Sequence, residues 1–102
     1  MNKKSKITVG MPAYNNGKVI KKRIQDICSQ TFQDFTIVIS DNGSTDQTRK
    51  ICEEMSKIDD RITFSHHKEN KGPYWNYNFV LNKAETEYFV MAAPDDIWSE
   101  NF

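Results

Sequence analysis

The sequence has no long hydrophobic run and little cysteine. No apolar stretch in its 102 residues approaches the roughly 20 residues of a membrane-spanning helix. The basic start of the chain is followed by an apolar stretch that is too short for a secretory signal peptide. Only two cysteines occur, Cys28 and Cys52, and both fall in helical patterns. We therefore expect small buried thiols in a reducing, cytoplasmic environment.

An excess of charge of one sign is also missing. Fourteen basic and fourteen acidic side chains cancel, so no overall field favours nucleic acid or an anionic membrane surface as a partner.

Glycine is sparse as well. The segment from Met11 to Gly17 holds a single glycine, which excludes the G-x-G-x-x-G dinucleotide motif, and no Walker phosphate loop occurs. A diphosphate ligand therefore needs another source of positive charge, usually a divalent cation held by one or two carboxylates.

The sequence does contain a regular alternation of strand and helix patterns. The predicted strands are Ile7–Met11, Phe35–Ser40, Arg61–His66 and Glu87–Ala92. Pro12 is expected to end the first of them, because proline lacks a backbone N–H. The third of them alternates polar and apolar residues, which is typical of a less buried strand near a sheet edge.

The segments between the predicted strands have helical patterns. Two carry apolar stripes, and the third runs from Pro73 to about Ala84. The stripes consist of Ile20, Ile24, Ile27 and Cys28, and of Thr48, Ile51, Cys52 and Met55. The alternation predicts an α/β fold with an open, mainly parallel sheet, right-handed crossovers and helices on both faces.

A polar turn follows the second predicted strand. Asp41 comes at the carboxyl end of that strand, where ligands bind in open α/β sheets. Gly43 allows a sharp turn, and Ser44 with Gln47 forms a capping-box signature for the next helix. An ordinary strand-to-helix turn, in which Asp41 and Ser44 only satisfy backbone donors, remains the alternative.

Three polar loops should converge on the same edge of the sheet. The first carries Tyr14 and Asn15, the second carries Asp41, and the third carries Asp95 and Asp96. Such convergence indicates a ligand site more strongly than any single loop does. Asp95 and Asp96 are candidate ligands for a divalent cation, and a helix N-cap is the alternative explanation for the pair.

Two adjacent histidines, His66 and His67, lie at the end of the third predicted strand. Neighbouring strand residues point to opposite faces of a sheet, which disfavours a metal ion shared by the two rings. We therefore expect both histidines to be polar residues of the protein surface.

Four segments in order resemble the serial motifs of family two glycosyltransferases. They are Val9–Asn16, Ser40–Asp46, Asn70–Gly72 and Ala93–Trp98. The resemblance runs from about Ile7 to the end of the chain, and several motifs in the right order are more specific than any single one. It implies the GT-A fold, with a Rossmann-like nucleotide-binding half, and a nucleotide-sugar donor.

The resemblance also implies a nucleotide-sugar site built from these motifs and the helix after the third. The implied site residues are Pro12, Ala13, Tyr14, Asn15, Asp41, Asn42, Gly43, Asn70, Gly72, Asn78 and Asp95. The first three would border the base, and Asp41 would hydrogen-bond the base or its ribose. Asn70 and Gly72 would shape the loop over the nucleotide. Asp95, with Asp96 beside it, would bind Mg²⁺ or Mn²⁺.

The sequence departs from the family pattern in two places. Ala93 stands where the metal motif usually has an aspartate, and Asn76–Tyr77–Asn78 stands where the family often has Ala-Arg-Asn. The acceptor site and the catalytic base of the family lie beyond the metal motif, and no residue here is a convincing base. Residues 1–102 are therefore expected to be the nucleotide-sugar-binding part of a longer glycosyltransferase, inactive by itself.

The implied reaction transfers a sugar from a nucleoside-diphosphate sugar, expected to be a UDP-sugar, to an acceptor hydroxyl with inversion. The acceptor would be a sugar or a lipid-linked molecule used in cell-surface polysaccharide biosynthesis. The parent enzyme would be cytoplasmic or peripheral to the inner face of the membrane. Two alternatives remain: a non-catalytic nucleotide-binding or interaction module of the same fold, and a sugar-phosphate nucleotidyltransferase, whose glycine-rich basic loop is absent here.

Overall fold

The computed structural model describes residues 6–94, which form a parallel sheet flanked by helices. The elements in chain order are β1 (Ile7–Ala13), α1 (Ile20–Cys28), β2 (Phe35–Asn42), α2 (Thr48–Ile58), β3 (Ile62–His67), α3 (Pro73–Lys83) and β4 (Tyr88–Met91). Within this part of the chain the strand order is β3-β2-β1-β4, and every neighbouring pair is parallel. The predicted α/β fold is confirmed.

One face of the sheet packs against α1 and α2. Odd-numbered residues of β1 and β2 point to this face and meet the apolar stripes that the sequence predicted for both helices. The buried core residues are Val9, Met11, Ala13, Ile20, Ile24, Ile27, Phe35, Ile37, Ile39, Cys52, Ile62 and Ala92. Each large aliphatic side chain among them contributes about 1.5–3 kcal/mol through removal of apolar surface from water. These residues fix both helices on the sheet.

Both cysteines are free thiols; Cys52 is buried as expected, whereas Cys28 is only half-buried. Cys52 is fully buried in the core, and burial raises the pKa of its thiol to about 12. Burial also raises the pKa of Cys28 to about 11, with the nearby Asp59 carboxylate acting in the same direction.

Helix α3 covers the opposite face of the sheet. Val80 of α3 is fully buried there. A Cβ atom at Gly10 of β1 would lie 3.1 Å from Val80 Cγ2 and 2.6 Å from Phe89 Cζ. Glycine therefore permits the close approach of α3 and β4 to the middle of β1. No helix within residues 6–94 is long and apolar enough to span a membrane.

The prediction that Pro12 ends the first strand is wrong, because β1 continues to Ala13. Backbone groups of successive strand residues point alternately to the two neighbouring strands. The Gly10 carbonyl accepts a hydrogen bond from the Ala92 amide at 2.8 Å, so Pro12 faces the same side. Since β4 ends at Met91, that side offers no further ladder partner, and the missing N–H of Pro12 costs no hydrogen bond.

Strand β3 lies at one edge of the sheet, which confirms the interpretation of its alternating pattern. Of its residues only Ile62 is buried. The register pairs Asp41 with His66 and Asn42 with His67. This register brings both histidines beside the carboxyl end of β2.

Candidate functional site

The loop after β1 and the loop after β2 are tied together through Asn15. Asn15 adopts a left-handed backbone with φ +49°, a conformation that asparagine tolerates better than most residues. Its amide donates to Ser44 Oγ at 2.8 Å, and its Oδ1 accepts from the Thr45 amide at 2.9 Å. The Gly17 amide donates to Asp46 Oδ2 at 2.9 Å. Asn15 therefore fixes one loop against the other.

The predicted capping box of Ser44 and Gln47 is wrong. Helix α2 begins at Thr48, and Asp46 Oδ1 accepts hydrogen bonds from the Thr48 amide and hydroxyl at 2.9 and 2.6 Å. Burial raises the pKa of Asp46, but the hydrogen bonds from Thr48 and Gly17 outweigh it and hold the pKa below its usual value. The Ser44 hydroxyl instead donates to Asp41 Oδ1 and accepts from the Asn15 amide.

Asp41 is fully buried at the end of β2, and both of its carboxylate oxygens have protein partners. Oδ2 lies 2.9 Å from His66 Nδ1, while Oδ1 accepts from the hydroxyl and the amide of Ser44. The structure thus joins Asp41 to the site loops through Ser44. This is not an ordinary turn in which Asp41 only satisfies backbone donors, because the side chain of His66 from β3 also bonds to Asp41.

The two histidines are partly exposed on the edge strand and point to opposite faces, as expected, but each also makes specific contacts that the sequence did not indicate. His66 is paired with Asp41 and 22% exposed. His67 Nε2 lies 2.8 Å from Ser40 Oγ, and its ring contacts the rings of Trp75 and Phe79 at centroid distances of 4.8 and 4.5 Å. The register of β3 on β2 determines these contacts, and the sequence of β3 alone does not reveal it.

Asn42 holds the loop between β3 and α3 against the sheet. Its Nδ2 donates to Asn70 Oδ1 at 2.9 Å and to the Gly72 carbonyl at 3.0 Å, and its Oδ1 accepts from the Lys71 amide at 2.9 Å. A Cβ atom at Gly43, which has φ +73°, would lie 2.7 Å from the Asn70 amide nitrogen. The structure therefore brings Asn42, Gly43, Asn70 and Gly72 together around one loop.

Helix α3 begins at Pro73, directly after Gly72 with φ +92°, and turns Asn76 toward the sheet. The Asn76 side chain is buried, and its Nδ2 donates to the Ser40 carbonyl at 3.0 Å and to the Ala13 carbonyl at 3.4 Å. Asn78 instead donates to the Tyr74 carbonyl at 3.0 Å within the helix. Asn76 thus links α3 to the carboxyl ends of β1 and β2.

An open cavity of about 470 Å³ lies at this edge of the sheet. Among the described residues, its lining includes five that the sequence predicted for the site: Pro12, Ala13, Tyr14, Asn42 and Asn70. Five other residues predicted for the site lie outside the lining: Asp41, Asn15, Gly43, Gly72 and Asn78. The remaining lining residues are Pro73, Asn76, Tyr77, Met91 and Ala93.

In the sequence, Asn76 and Tyr77 stood out only as departures from the family pattern and were not predicted as site residues. The structure shows that Asn76 and Val80, four positions apart, form the buried face of α3, and the sequence does not reveal that burial. The lining that the structure describes carries no charged side chain. Its apolar walls, tyrosine rings and amides suit a planar, polar-edged ring better than they suit a phosphate.

The predicted metal ligands Asp95 and Asp96 lie outside the described residues. Within residues 6–94, no group of three or more His, Cys, Asp or Glu side chains is placed to hold a metal ion.

Comparisons with known proteins concern the family and the fold of this chain. The sequence model of the family "Glycosyl transferase family 2" matches residues 8–102. The glycosyltransferase GlyG of Streptococcus pneumoniae is 34% identical over 95 residues, which are 93% of this chain and 32% of GlyG. The crystal structure of Staphylococcus aureus TarS 1–349 in complex with UDP superposes with a TM-score of 0.84 at 30% identity, over 94% of this chain and 29% of that one.

A mannosyltransferase from Pyrobaculum calidifontis, PcManGT in complex with GDP-Man and Mn²⁺, has the same fold. Its TM-score is 0.85 at 23% identity, and the match covers 96% of this chain and 30% of that one. The chain spans less than a third of the length of each of these three proteins. Since the family match extends over almost all of the sequence, the chain belongs to glycosyl transferase family 2.

Proposed function

We propose that residues 1–102 bind the nucleotide-sugar donor of a longer glycosyltransferase, at the cavity on the carboxyl edge of the sheet. The observation that carries this proposal is the convergence of Pro12, Ala13, Tyr14, Asn42 and Asn70 on one cavity. Two crystal structures of TarS support a uridine nucleotide, since one is a complex with UDP and the other a complex with UDP-GlcNAc.

In this proposal the base lies against Tyr14, which is 44% exposed beside the apolar walls of Pro12 and Ala13. A half-exposed aromatic ring of this kind stacks on a planar ligand. Asn42 and Asn70 hold the covering loop, as their mutual hydrogen bond indicates. Asp41 hydrogen-bonds the base or the ribose. Because Asp41 is fully buried outside the cavity lining, a ligand reaches it by displacing Ser44 or His66 from one of its carboxylate oxygens.

The diphosphate brings negative charge that the described lining does not neutralise. We infer that Asp95, with Asp96 beside it, binds Mg²⁺ or Mn²⁺ together with the phosphate oxygens. The Mn²⁺ in the complex of PcManGT with GDP-Man agrees with this inference. The bound cation supplies stabilisation of the charge on the leaving diphosphate.

The parent enzyme then transfers the sugar from a UDP-sugar to an acceptor hydroxyl with inversion at the anomeric carbon. The acceptor is a sugar or a lipid-linked molecule, and the reaction takes place in the cytoplasm or at the inner face of the membrane. The acceptor surface and the base that deprotonates the hydroxyl belong to other parts of the parent protein.

Calorimetric titration of the chain with UDP in the presence of Mn²⁺ tests the proposal, with two tyrosine variants as a matched pair. Tyr14 lines the cavity, whereas Tyr74 is 80% exposed on α3 and does not. We expect Tyr14→Ala to weaken binding by about 1 kcal/mol through lost stacking and Tyr74→Ala to bind like the wild type. Equal affinities in both variants, or no UDP binding by the wild type, would contradict the proposed site.

A further inference from the structure

Asn76 is an unusual residue for the sheet-facing side of a helix. It is 3% exposed, and its Nδ2 donates to the last carbonyls of two strands, those of Ser40 and Ala13. The amide cannot be turned over, because Oδ1 would then face two carbonyl oxygens that offer no proton. In the orientation observed, Oδ1 is buried and has no hydrogen-bond partner within residues 6–94.

Buried polar atoms in proteins almost always have a hydrogen-bond partner, and an exception calls for an explanation. The hydrogen bonds from Nδ2 to the Ser40 and Ala13 carbonyls account for the amide nitrogen of Asn76, because an aliphatic residue would leave both carbonyls without this donor. They do not account for the unpaired oxygen. A donor supplied by a bound molecule does explain it, because Asn76 belongs to the lining of the cavity.

The chemistry of the cavity restricts which group that donor belongs to. An amide oxygen attracts an N–H or O–H group and repels the oxygens of a phosphate. Two half-exposed aromatic rings, Tyr14 and Tyr77, line the same cavity, and the described lining carries no charge. This surrounding suits a flat, neutral heterocycle with an N–H on its edge. The imide N–H of uracil is such a group, whereas cytosine has no hydrogen on the equivalent ring nitrogen.

We propose that Asn76 is a specificity-determining residue of the donor site, whose Oδ1 accepts a hydrogen bond from the imide N–H of the nucleobase. This inference rests on the proposed function and adds a residue that the family pattern did not suggest. Since uracil has a single N–H, its assignment to Asn76 leaves the ribose hydroxyls as the donors for Asp41. Because Oδ1 is covered in this structure, binding includes a small outward shift of the first turn of α3.

The experiment compares two ligands and three proteins by calorimetry in the presence of Mn²⁺. The ligands are UDP and N3-methyluridine diphosphate, which lacks the imide hydrogen. The proteins are the wild type, Asn76→Ala, and Asn82→Ala as a control on the exposed side of the same helix. We expect the wild type and Asn82→Ala to prefer UDP by about tenfold, the contribution of one hydrogen bond. In Asn76→Ala, the two ligands should bind within about twofold of each other, since the acceptor is gone.

A second measurement on the wild type needs no variant and decides the matter if Asn76→Ala does not fold. The carbon-13 resonance of the Asn76 side-chain carbonyl should move on addition of UDP and stay in place on addition of the methylated ligand. A preference for UDP that persists in Asn76→Ala, or an unmoved resonance at saturating UDP, would overturn the inference and leave the proposed function standing. Failure of the wild type to bind UDP would overturn both.

Discussion

Replacement of Asp41 probes the most interconnected side chain of the candidate site. Its carboxylate is fully buried and bonded to His66 and Ser44. A hydrogen bond to a charged group contributes about 1.5–3 kcal/mol to stability. His66 is 22% exposed, so in the variant water replaces part of the hydrogen bonding that His66 loses with the carboxylate. We therefore expect Asp41→Ala to lower the free energy of unfolding by about 2–4 kcal/mol.

The same substitution should weaken UDP binding. If Asp41 accepts a hydrogen bond from the base or the ribose, its removal leaves a ligand donor unpaired, which costs about 1–3 kcal/mol of affinity. Urea unfolding followed by tryptophan fluorescence gives the stability term, and calorimetry with UDP gives the affinity term on folded protein.

His66→Ala is the matched control for Asp41→Ala. It removes the partner of the carboxylate but leaves the carboxylate itself, so it should cost stability and keep most of the UDP affinity. Equal UDP affinity in the wild type and in folded Asp41→Ala would remove Asp41 from the binding site. A His66→Ala variant that loses as much affinity as Asp41→Ala would show that Asp41 acts only by holding the loops.

Three further predictions concern acid stability, catalysis and the metal. Hydrogen bonds from Arg61 lower the pKa of Asp59 from 3.8 to about 2, so the pair should contribute about 2 kcal/mol above pH 4. That contribution is lost as the pH falls through 2, and unfolding curves of Asp59→Asn should lack this pH dependence. The chain by itself should form no glycosylated product from UDP-sugars with any acceptor, and product detected by mass spectrometry would refute this. UDP and Mn²⁺ should raise each other's affinity by the same factor, and Asp95→Asn should abolish this coupling, whereas a mere helix cap would tolerate the change.

The sequence was sufficient to predict the order of strands and helices, because that order follows from local periodicity. The stripe of Ile20, Ile24 and Ile27 is buried as a helix face, and the alternating β3 is an edge strand. The end of β1 was not predictable. Whether Pro12 breaks a strand depends on whether a neighbouring strand needs its N–H, and that depends on where β4 ends.

Ala13 and Asn42, which the family resemblance implied for the site, are the last residues of β1 and β2 and line the cavity. Other side chains were misjudged where a contact from a distant segment decides their role. Ser44 has the sequence signature of a helix cap, yet Asp41 engages its hydroxyl. His66 looks like a surface residue until the register of β3 places it beside the same carboxylate. Such tertiary contacts override local propensity and leave no trace in local sequence.

Amide chemical-shift mapping shows directly whether the nucleotide binds at the carboxyl edge of the sheet. A nitrogen-15-labelled chain would be titrated with UDP in the presence of Mg²⁺, which avoids paramagnetic broadening. We expect the largest shifts on the backbone amides of three segments that flank the cavity: Ala13–Asn15, Asn42–Ser44 and Asn70–Gly72. Shifts confined to α1 and the opposite end of the sheet, or no shifts at saturating UDP, would contradict this expectation.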